Sequence, residues 1–250
     1  MSLWSDLKVL YHLTLAPVRG KSHQDRLESF YGGQAQAYDS FRKRLLQGRE
    51  QLYSSIKVPT GGCWVDVGGG TGSNLENLGE SIKQLGSAYV VDLTPSLLKV
   101  ADERIAARGW TNVKTLHADA TTLTLPEGQQ ADVVTFSYSL TMIPDWFAAV
   151  DAAWRLLKPG GTIGVVDFYV GRKWPEANRV KHAWSTRHFW RTWFDADNVF
   201  PSPDHVSYLQ HRFQTMSLDE ARAKLPYMPF VRMPYYRFVG TKVELPLRSA

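Results

Sequence analysis

The segment VDVGGGTGSN (65–74) carries four glycines, of which Gly68, Gly70 and Gly72 stand at alternate positions. Glycine lets the backbone adopt positive φ and allows a ligand to approach closely. Three spaced glycines exceed what a simple tight turn needs, so we predict a ligand-binding turn between a strand and a helix. A dinucleotide site is the competing interpretation, but that motif needs glycine or alanine where Ser73 stands. No lysine or arginine lies nearby to hold a phosphate.

Two carboxylates extend this chemistry to neighbouring strand ends. Asp92 closes the predicted strand AYVVDL, where a carboxylate can accept both hydroxyls of a ribose. Asp119 ends the predicted strand VKTLHAD and can meet an adenine amino group. The glycine turn, Asp92 and Asp119 together indicate a nucleoside site more specifically than any one of them alone.

The surrounding pattern predicts parallel strands joined by crossover helices. Short apolar runs predict strands at 63–68, 88–93, 113–119, 131–140 and 162–169, with helices at 73–85, 94–109 and 145–157. Ser217 and Glu220 form a capping box that predicts a further helix at 217–225. After it, 229–233 and 235–245 predict an antiparallel pair. Residues 170–215 form an insertion at the carboxyl side of the sheet, where open α/β folds bind ligands.

Composition limits the function classes. The chain has 250 residues and a single cysteine, Cys63, which excludes an internal disulfide and fits a reducing compartment. It has no apolar run long enough to span a membrane, and its start lacks the features of a signal peptide. By count, residues 1–60, 61–170 and 171–250 carry net charges of +4, −5 and +6. Basic ends favour an anionic partner, although a solvated basic surface gives the same count.

These motifs resemble the class I S-adenosylmethionine-dependent methyltransferases, through Asp66–Gly72, Asp92, Asp119–Ala120, FSYSLTMIPD (136–145) and LLKPGG (156–161). The resemblance implies a Rossmann-like α/β fold with a mostly parallel seven-stranded sheet, helices on both faces and S-adenosyl-L-methionine as cofactor. It implies cofactor contacts from Asp66, Gly68, Gly70, Thr71, Gly72, Asn74, Asp92, Leu93, Asp119, Ala120, Ser137, Ser139 and Met142.

The amino-terminal residues supply a predicted cover for the cofactor. Tyr38 and Arg42 lie four residues apart on one helical face, and Arg42 could hold the methionine carboxylate. A packing and salt-bridge role fits this pair equally well. We therefore expect residues 1–60 to close over the cofactor, and residues 61–250 to form the methyltransferase domain with its insertion. No metal site is predicted.

The segment FWRTWFDADNVF (189–200), with YDSFR and PYYRFVGTK, resembles the N-methyltransferase domain of betaine-lipid synthases. That resemblance implies three methylations of the amine of diacylglyceryl-homoserine, a lipid with an amino headgroup. It also implies a 3-amino-3-carboxypropyl transferase domain or subunit as partner. A small-molecule or phosphatidylethanolamine N-methyltransferase is the alternative.

The insertion looks irregular in sequence, and its residues suit a quaternary ammonium product. Such a cation is held by aromatic faces, at about 0.5–2 kcal/mol per contact. We expect a cage from Trp190, Trp193, Phe194, Tyr208 and Tyr138. Arg187, Arg191 or Arg212 would hold the homoserine carboxylate. His188, His205 or Asp195 could take the amine proton, with His205 slightly preferred, although a base is not strictly required.

A lipid acceptor requires contact with a membrane surface. Leu3, Trp4, Leu7, Leu10 and Tyr11 form one helical stripe, which suits either an interfacial helix or a cap on the sheet. The expected location is cytoplasmic and peripheral on a membrane, the endoplasmic reticulum in a eukaryote. A nucleic-acid methyltransferase is disfavoured, because SYSL (137–140) stands where an NPPY-type motif would be. A cofactor-binding scaffold without activity is the last alternative.

Overall fold

The computed structural model describes residues 22, 24, 25, 28, 45–195, 199–225 and 228–243. Tyr38, Arg42 and the amino-terminal stripe lie outside these residues, so the predictions about them stay predictions.

Seven strands form one sheet. They are β1 (Cys63–Val67), β2 (Ser87–Asp92), β3 (Val113–His117), β4 (Ala131–Ser137), β5 (Leu157–Phe168), β6 (Gln214–Leu225) and β7 (Met228–Thr241). Their order is β3-β2-β1-β4-β5-β7-β6. Strands β1 to β5 are parallel, and β7 runs antiparallel to both β5 and β6. The predicted Rossmann-like, mostly parallel sheet is confirmed, and its order reverses between β1 and β4, where such sheets bind ligands.

Five α-helices are described: α1 (Arg49–Ser55), α2 (Pro95–Arg108), α3 (Trp146–Leu156), α4 (Trp184–Asp195) and α5 (His205–Arg212). A 3₁₀ segment, Ser73–Gln84, follows β1 and is interrupted at Gly79. Helix α2 begins with Pro95 and ends at Gly109, whose φ of +64° is the left-handed conformation expected after a helix. Asp145 caps α3 by accepting the Ala148 N–H at 3.1 Å.

The apolar core covers both faces of the sheet, because every residue of β1 is buried. Helices α3 and α5 pack against one face, around Phe136, Leu209 and Tyr236. Helix α1, the 3₁₀ segment, α2 and α4 pack against the other face, around Trp64, Val90 and Trp190. Strands buried on both faces explain the continuous apolar runs in the sequence.

The predicted helix at 217–225 is wrong, because these residues lie in β6 and pair with β7 from Gln214 to Leu225. Ser217 and Glu220 therefore do not form a helix capping box. Glu220 instead accepts hydrogen bonds from Tyr169 Oη, from Arg179 Nη2 at 3.1 Å and from the Val180 N–H at 2.9 Å. Residues 229–233 and 235–241, predicted as two paired strands, lie in one continuous strand, β7. Pairing across the sheet has overridden a local helix signal.

The irregular conformation predicted for much of the insertion is also wrong. Residues 184–195 and 205–212 form α4 and α5. Helix α4 turns Trp190 and Phe194 towards the core and leaves Trp184, Phe189 and Trp193 exposed. The aromatic residues therefore follow a helical pattern with a buried and an exposed side.

Candidate functional site

A cavity of about 310 Å³ opens at the carboxyl ends of β1, β2 and β4. It lies at the point where the strand order reverses. Its lining comprises Val67, Gly68, Gly70, Val91, Asp92, Leu93, Thr94, Leu97, Ala118, Asp119, Ala120, Thr121, Tyr138, Ser139, Met142, Ile143, Pro144 and Asp145. The structure thus brings together eight of the predicted cofactor residues: Gly68, Gly70, Asp92, Leu93, Asp119, Ala120, Ser139 and Met142. We call this space the cofactor cavity.

The glycine turn forms one wall of the cofactor cavity. Gly68, Gly70 and Gly72 have φ values of +66°, +56° and +72°. A Cβ on Gly68 would overlap the Cβ of Ser139 across the turn. Only glycine therefore fits at Gly68, both because of its conformation and because of its neighbour.

Asp92 is held rigidly at the end of β2. Its Oδ2 accepts the Gly70 N–H at 2.9 Å, and its Oδ1 accepts the Thr94 N–H at 2.9 Å. The Asp92 carboxylate lines the cavity, where a ligand can approach it. Thr94 also lines the cavity, and its hydroxyl is buried without a hydrogen-bond partner in the described part of the chain.

Asp119 is more accessible. Its Oδ1 accepts hydrogen bonds from the Thr121 N–H at 2.8 Å and the Thr121 hydroxyl at 2.7 Å. Those bonds fix the direction of the carboxylate at the cavity rim, as the predicted adenine contact requires. Asp92 and Asp119 thus define two polar positions in a lining that is otherwise largely apolar.

Asp66, Thr71, Gly72, Asn74 and Ser137 do not line the cavity, in contrast to the predicted direct contacts. Asp66 is fully buried beneath the turn. Its Oδ1 accepts the Tyr53 hydroxyl at 2.6 Å and the Thr135 hydroxyl at 2.9 Å, and its Oδ2 accepts Asn74 Nδ2 at 3.0 Å. Burial raises the pKa of the Asp66 carboxyl, while the donated hydrogen bonds oppose that rise. Asp66 and Asn74 therefore support the glycine turn from behind.

The other three residues surround the same turn. The Thr71 carbonyl accepts Arg104 Nε at 2.9 Å, which ties the turn to α2. A Cβ on Gly72 would meet only ordinary van der Waals neighbours on Val90 and Ala101, so its positive φ is what calls for glycine. Ser137 is buried at the end of β4.

Tyr138 was predicted at the methyl acceptor and does line the cofactor cavity. Its φ of +55° is unusual for an aromatic residue and projects the side chain from the end of β4. Its hydroxyl donates a hydrogen bond to the Gln47 carbonyl, and its ring lies 4.5 Å from that of Phe168. Burial raises the pKa of the Tyr138 hydroxyl well above its usual value, so it remains neutral. Its strained backbone is the kind found at functional sites.

A second cavity adjoins the first and shares Ile143 and Pro144 with it. Its volume is about 580 Å³. Its other lining residues are Trp146, Arg191, Thr192, Phe200, Pro201, Ser202, Pro203 and Asp204. The Phe200 N–H donates to the Thr141 carbonyl at 2.8 Å, which fixes this wall against the loop after β4. We call this space the acceptor cavity.

Of the residues predicted to bind substrate, only Arg191 lines the acceptor cavity. Arg212 lies elsewhere, with its Nε 2.9 Å from Asp151 Oδ1 and its guanidinium 4.8 Å from the centroid of the Trp154 ring. Trp190 is buried against Phe194, and Trp193 is on the surface. Arg187 lines a separate groove. These residues do not converge on one cation, so the predicted aromatic cage is wrong.

His205, predicted as the base, and Tyr208, predicted for the cage, line neither cavity. His205 is fully buried, with its ring 4.5 Å from Trp146 in an edge-on contact. Burial lowers the pKa of His205 to about 3, so its imidazole is neutral. The Tyr208 hydroxyl donates to Asp151 Oδ1 at 2.8 Å.

Several residues of the site were not predicted. Thr94, Leu97, Asp145, Phe200 and Asp204 line the two cavities. Asp145 could have been predicted, because an aspartate that follows Ile143–Pro144 and precedes a helix is a typical N-cap at the end of a strand. Phe200 and Asp204 could not have been predicted from local sequence, since their positions depend on how the insertion folds over the loop after β4.

A match to a protein family supports the assignment of the cofactor cavity to a methyl donor. Residues 36–190 match the ubiE/COQ5 methyltransferase family. The chain belongs to this family. It is a family of methyltransferases, and the cavity, the glycine turn and the Asp92 carboxylate all fit S-adenosyl-L-methionine as the methyl donor.

Two curated relatives are similar to the chain over about half of its length. The chain is 32% identical over 140 residues to a demethylmenaquinone methyltransferase of Geobacillus kaustophilus, covering 56% of each protein. It is 30% identical over 140 residues to a ubiquinone/menaquinone biosynthesis C-methyltransferase UbiE of a Marinomonas species, covering 54% of this chain and 55% of the relative. The chain thus spans about half the length of the curated relatives it matches.

Solved structures confirm the fold. YcgJ of Bacillus subtilis has a TM-score of 0.61 at 15% identity, covering 79% of this chain and 98% of its own. Phosphoethanolamine N-methyltransferase 2 of Haemonchus contortus, solved with S-adenosylhomocysteine, has a TM-score of 0.66 at 15% identity, covering 90% and 61%. These comparisons give no support to the predicted similarity to betaine-lipid synthases. The Marinomonas relative is named a C-methyltransferase, and the N-methyltransferase of Haemonchus contortus resembles this chain in fold only. No helix in the described part of this methyltransferase is long and apolar enough to cross a bilayer.

Proposed function

We propose that this methyltransferase methylates a ring carbon of an electron-rich, apolar acceptor of the quinol type. The observation that carries the proposal is the acceptor cavity, which opens beside the cofactor cavity and shares Ile143 and Pro144 with it. Trp146 and Phe200 supply aromatic walls, and Arg191 supplies a cation. The names of the curated relatives point to the same class of acceptor.

The lining suits carbon methylation. A ring carbon becomes a nucleophile when a neighbouring hydroxyl is ionised, because the oxygen then donates electron density into the ring. A guanidinium within a partly apolar cavity stabilises such an oxyanion. Arg191 lines the acceptor cavity and is our candidate for that role, and the aromatic walls can stack on the ring.

Bond changes in the proposed reaction balance without an oxidant. S-adenosylmethionine supplies an electrophilic methyl group, whose bond to sulfur breaks as the new carbon–carbon bond forms. The ring carbon then loses its hydrogen as a proton, which restores the aromatic ring. Asp145 in the cofactor cavity and Asp204 in the acceptor cavity carry carboxylates that could receive this proton, directly or through water.

A competition among acceptors tests the proposal. The full chain would be incubated with labelled S-adenosylmethionine and detergent-solubilised demethylmenaquinol, diacylglyceryl-homoserine or phosphatidylethanolamine. Fragment masses of the product would locate the new methyl group. We expect one methyl on the quinol ring carbon and no turnover of either amine. Methylation of an amine with no quinol product would overturn the proposal and leave the cofactor assignment intact.

A further inference from the structure

A surface groove of about 440 Å³ lies on the insertion, outside both cavities. It is lined by Lys173, Trp174, Lys181, His182, Ala183, Trp184 and Arg187, and we call it the tryptophan–lysine groove. Trp174 is 74% exposed and Trp184 is 69% exposed. Two large indole rings in water are unusual on a folded domain, and an exposed aromatic group of this kind marks an interaction surface.

The cations of the groove surround these rings. Lys173 Nζ lies 5.5 Å and Lys181 Nζ lies 5.1 Å from the centroid of the Trp174 ring. Lys173, Lys181 and Arg187 form no ion pair with any residue that the structure describes. The nearby acid Glu176 is engaged, because it pairs with Arg172 at 3.3 Å and with Arg179 at 3.8 Å. The groove therefore keeps its positive charge.

Helix α4 carries further exposed aromatic residues. The Phe189 and Trp193 rings lie 5.6 Å apart and are 47% and 40% exposed. The Phe189 ring also contacts the buried Trp190 ring edge-on, with the two centroids 5.0 Å apart. The exposed parts of the Phe189 and Trp193 rings are accessible to a partner.

We propose that the tryptophan–lysine groove and the outer side of α4 dock on the surface of an anionic phospholipid bilayer. Indole rings favour the boundary between headgroups and acyl chains, and lysine and arginine attract lipid phosphates. The same helix supplies Arg191 and Thr192 to the acceptor cavity. Docking would therefore bring that cavity close to the layer in which a molecule with a hydrocarbon tail dissolves.

Vesicle flotation of the full chain tests this proposal without any acceptor or turnover, so its result is independent of the proposed function. Vesicles would contain phosphatidylcholine with or without phosphatidylglycerol. We expect binding to the anionic vesicles, weakening as salt rises. Lys173→Glu with Lys181→Glu should lower the partition coefficient on anionic vesicles more than about tenfold. Trp174→Ala with Trp184→Ala should lower it to a similar extent at every salt concentration.

A matched control separates a local surface from net charge. Lys99 and Lys114 are exposed on the opposite part of the fold, on α2 and β3. Lys99→Glu with Lys114→Glu changes the total charge equally and should leave vesicle binding within about twofold. Calorimetric binding of S-adenosylmethionine should be equal in all three variants, which shows that each variant is folded.

Three results would overturn the docking proposal: no vesicle binding by the wild-type chain, equal loss in the control variant, or unchanged binding in both groove variants. Light scattering adds a further check. A dimer that the tryptophan variant abolishes, with no vesicle binding, would assign this surface to a second copy of the chain instead.

Discussion

The cofactor cavity and the acceptor cavity share two residues but are built in different ways. The cofactor cavity is made by the ends of parallel strands, with Gly68, Gly70 and Asp92 fixed by backbone hydrogen bonds and left-handed turns. The acceptor cavity is made by side chains of the insertion, with Arg191 and Phe200 placed by helix packing and a single hydrogen bond to Thr141. Substitutions that alter the backbone of the cofactor cavity are poorly tolerated, whereas the side chains that line the acceptor cavity can be replaced by others. The fold can therefore keep one methyl donor while the acceptor varies.

The largest effect is expected at Gly68. Gly68→Ala places a Cβ against Ser139 and also forces alanine into a positive φ. We expect the affinity for S-adenosylmethionine to fall more than about 100-fold, as measured by calorimetry. Gly79→Ala is the matched control, because Gly79 has a φ of +54° and no atom within 4 Å of its added Cβ. Equal losses in the two variants would mean that backbone strain alone is responsible.

Asp92 should come next. Asp92→Ala removes the acceptor for the Gly70 and Thr94 N–H groups and the expected ribose contact. Hydrogen bonds to a charged group contribute about 1.5–3 kcal/mol each, so we expect roughly 100-fold weaker cofactor binding. Asp119→Ala should cost about tenfold or less, since that carboxylate is exposed. Calorimetry with both variants would refute this ranking if Asp119 proved the more important residue.

A smaller effect, confined to the acceptor, is expected at Arg191. Arg191→Ala should lower kcat/KM for the quinol-type acceptor by about 10- to 100-fold and leave cofactor affinity unchanged, because a cation facing an oxyanion contributes about 1.5–3 kcal/mol. Arg212→Ala is the control, as its guanidinium pairs with Asp151 and stacks on Trp154. Loss of activity in the Arg212 variant instead would move the acceptor site to the other end of α5.

The smallest effect on activity is expected at His205. His205→Leu keeps an apolar side chain against Trp146, and methyl transfer should stay within about twofold, since His205 reaches neither cavity. Its effect should appear in stability at acid pH. In the unfolded chain a histidine gains a proton below a pKa of 6.5, while burial keeps folded His205 neutral down to a pKa of about 3.

Acid therefore favours the unfolded wild-type chain as the pH falls from 6.5 towards 3. At pH 5 this penalty is about 2 kcal/mol, which corresponds to roughly 4–8 °C in Tm for a domain of this size. Thermal melts at pH 5 and 7.5 should show a smaller acid-induced drop for His205→Leu than for the wild type. Identical drops would show that the imidazole is not neutral in the fold, and a large loss of turnover would restore it as a candidate base.

The same contrast explains what the sequence could predict. The strand ends, the glycine turn and Asp92 were predictable because positive φ and strand-end carboxylates leave a local signature. Asp66 and Asn74 belong to the same motif, but their side chains lie beneath the turn and not in the cavity. The sequence does not show this, because it depends on the hydrogen bond between Asp66 and the distant, buried Tyr53.

The acceptor side was predicted less well. The aromatic residues of the insertion were identified, but their composition does not show which of them face inward. Trp190 and Phe194 lie in the core, whereas Arg191 lines a cavity, because successive residues of helix α4 point in different directions. The capping box at Ser217 misled for a related reason: the pairing of β6 with β7 lies far outside any local sequence window.

The position of β7 also constrains how the chain can fold while it is being synthesised. Strand β5, Leu157–Phe168, obtains its second neighbour only from residues 235–241, which leave the ribosome after the whole insertion and β6. Until then, one edge of β5 has unpaired backbone groups and an apolar surface that can pair with another nascent chain. A truncation before β7 should therefore aggregate rather than fold, and slow translation through the insertion should lengthen the interval in which a chaperone is needed.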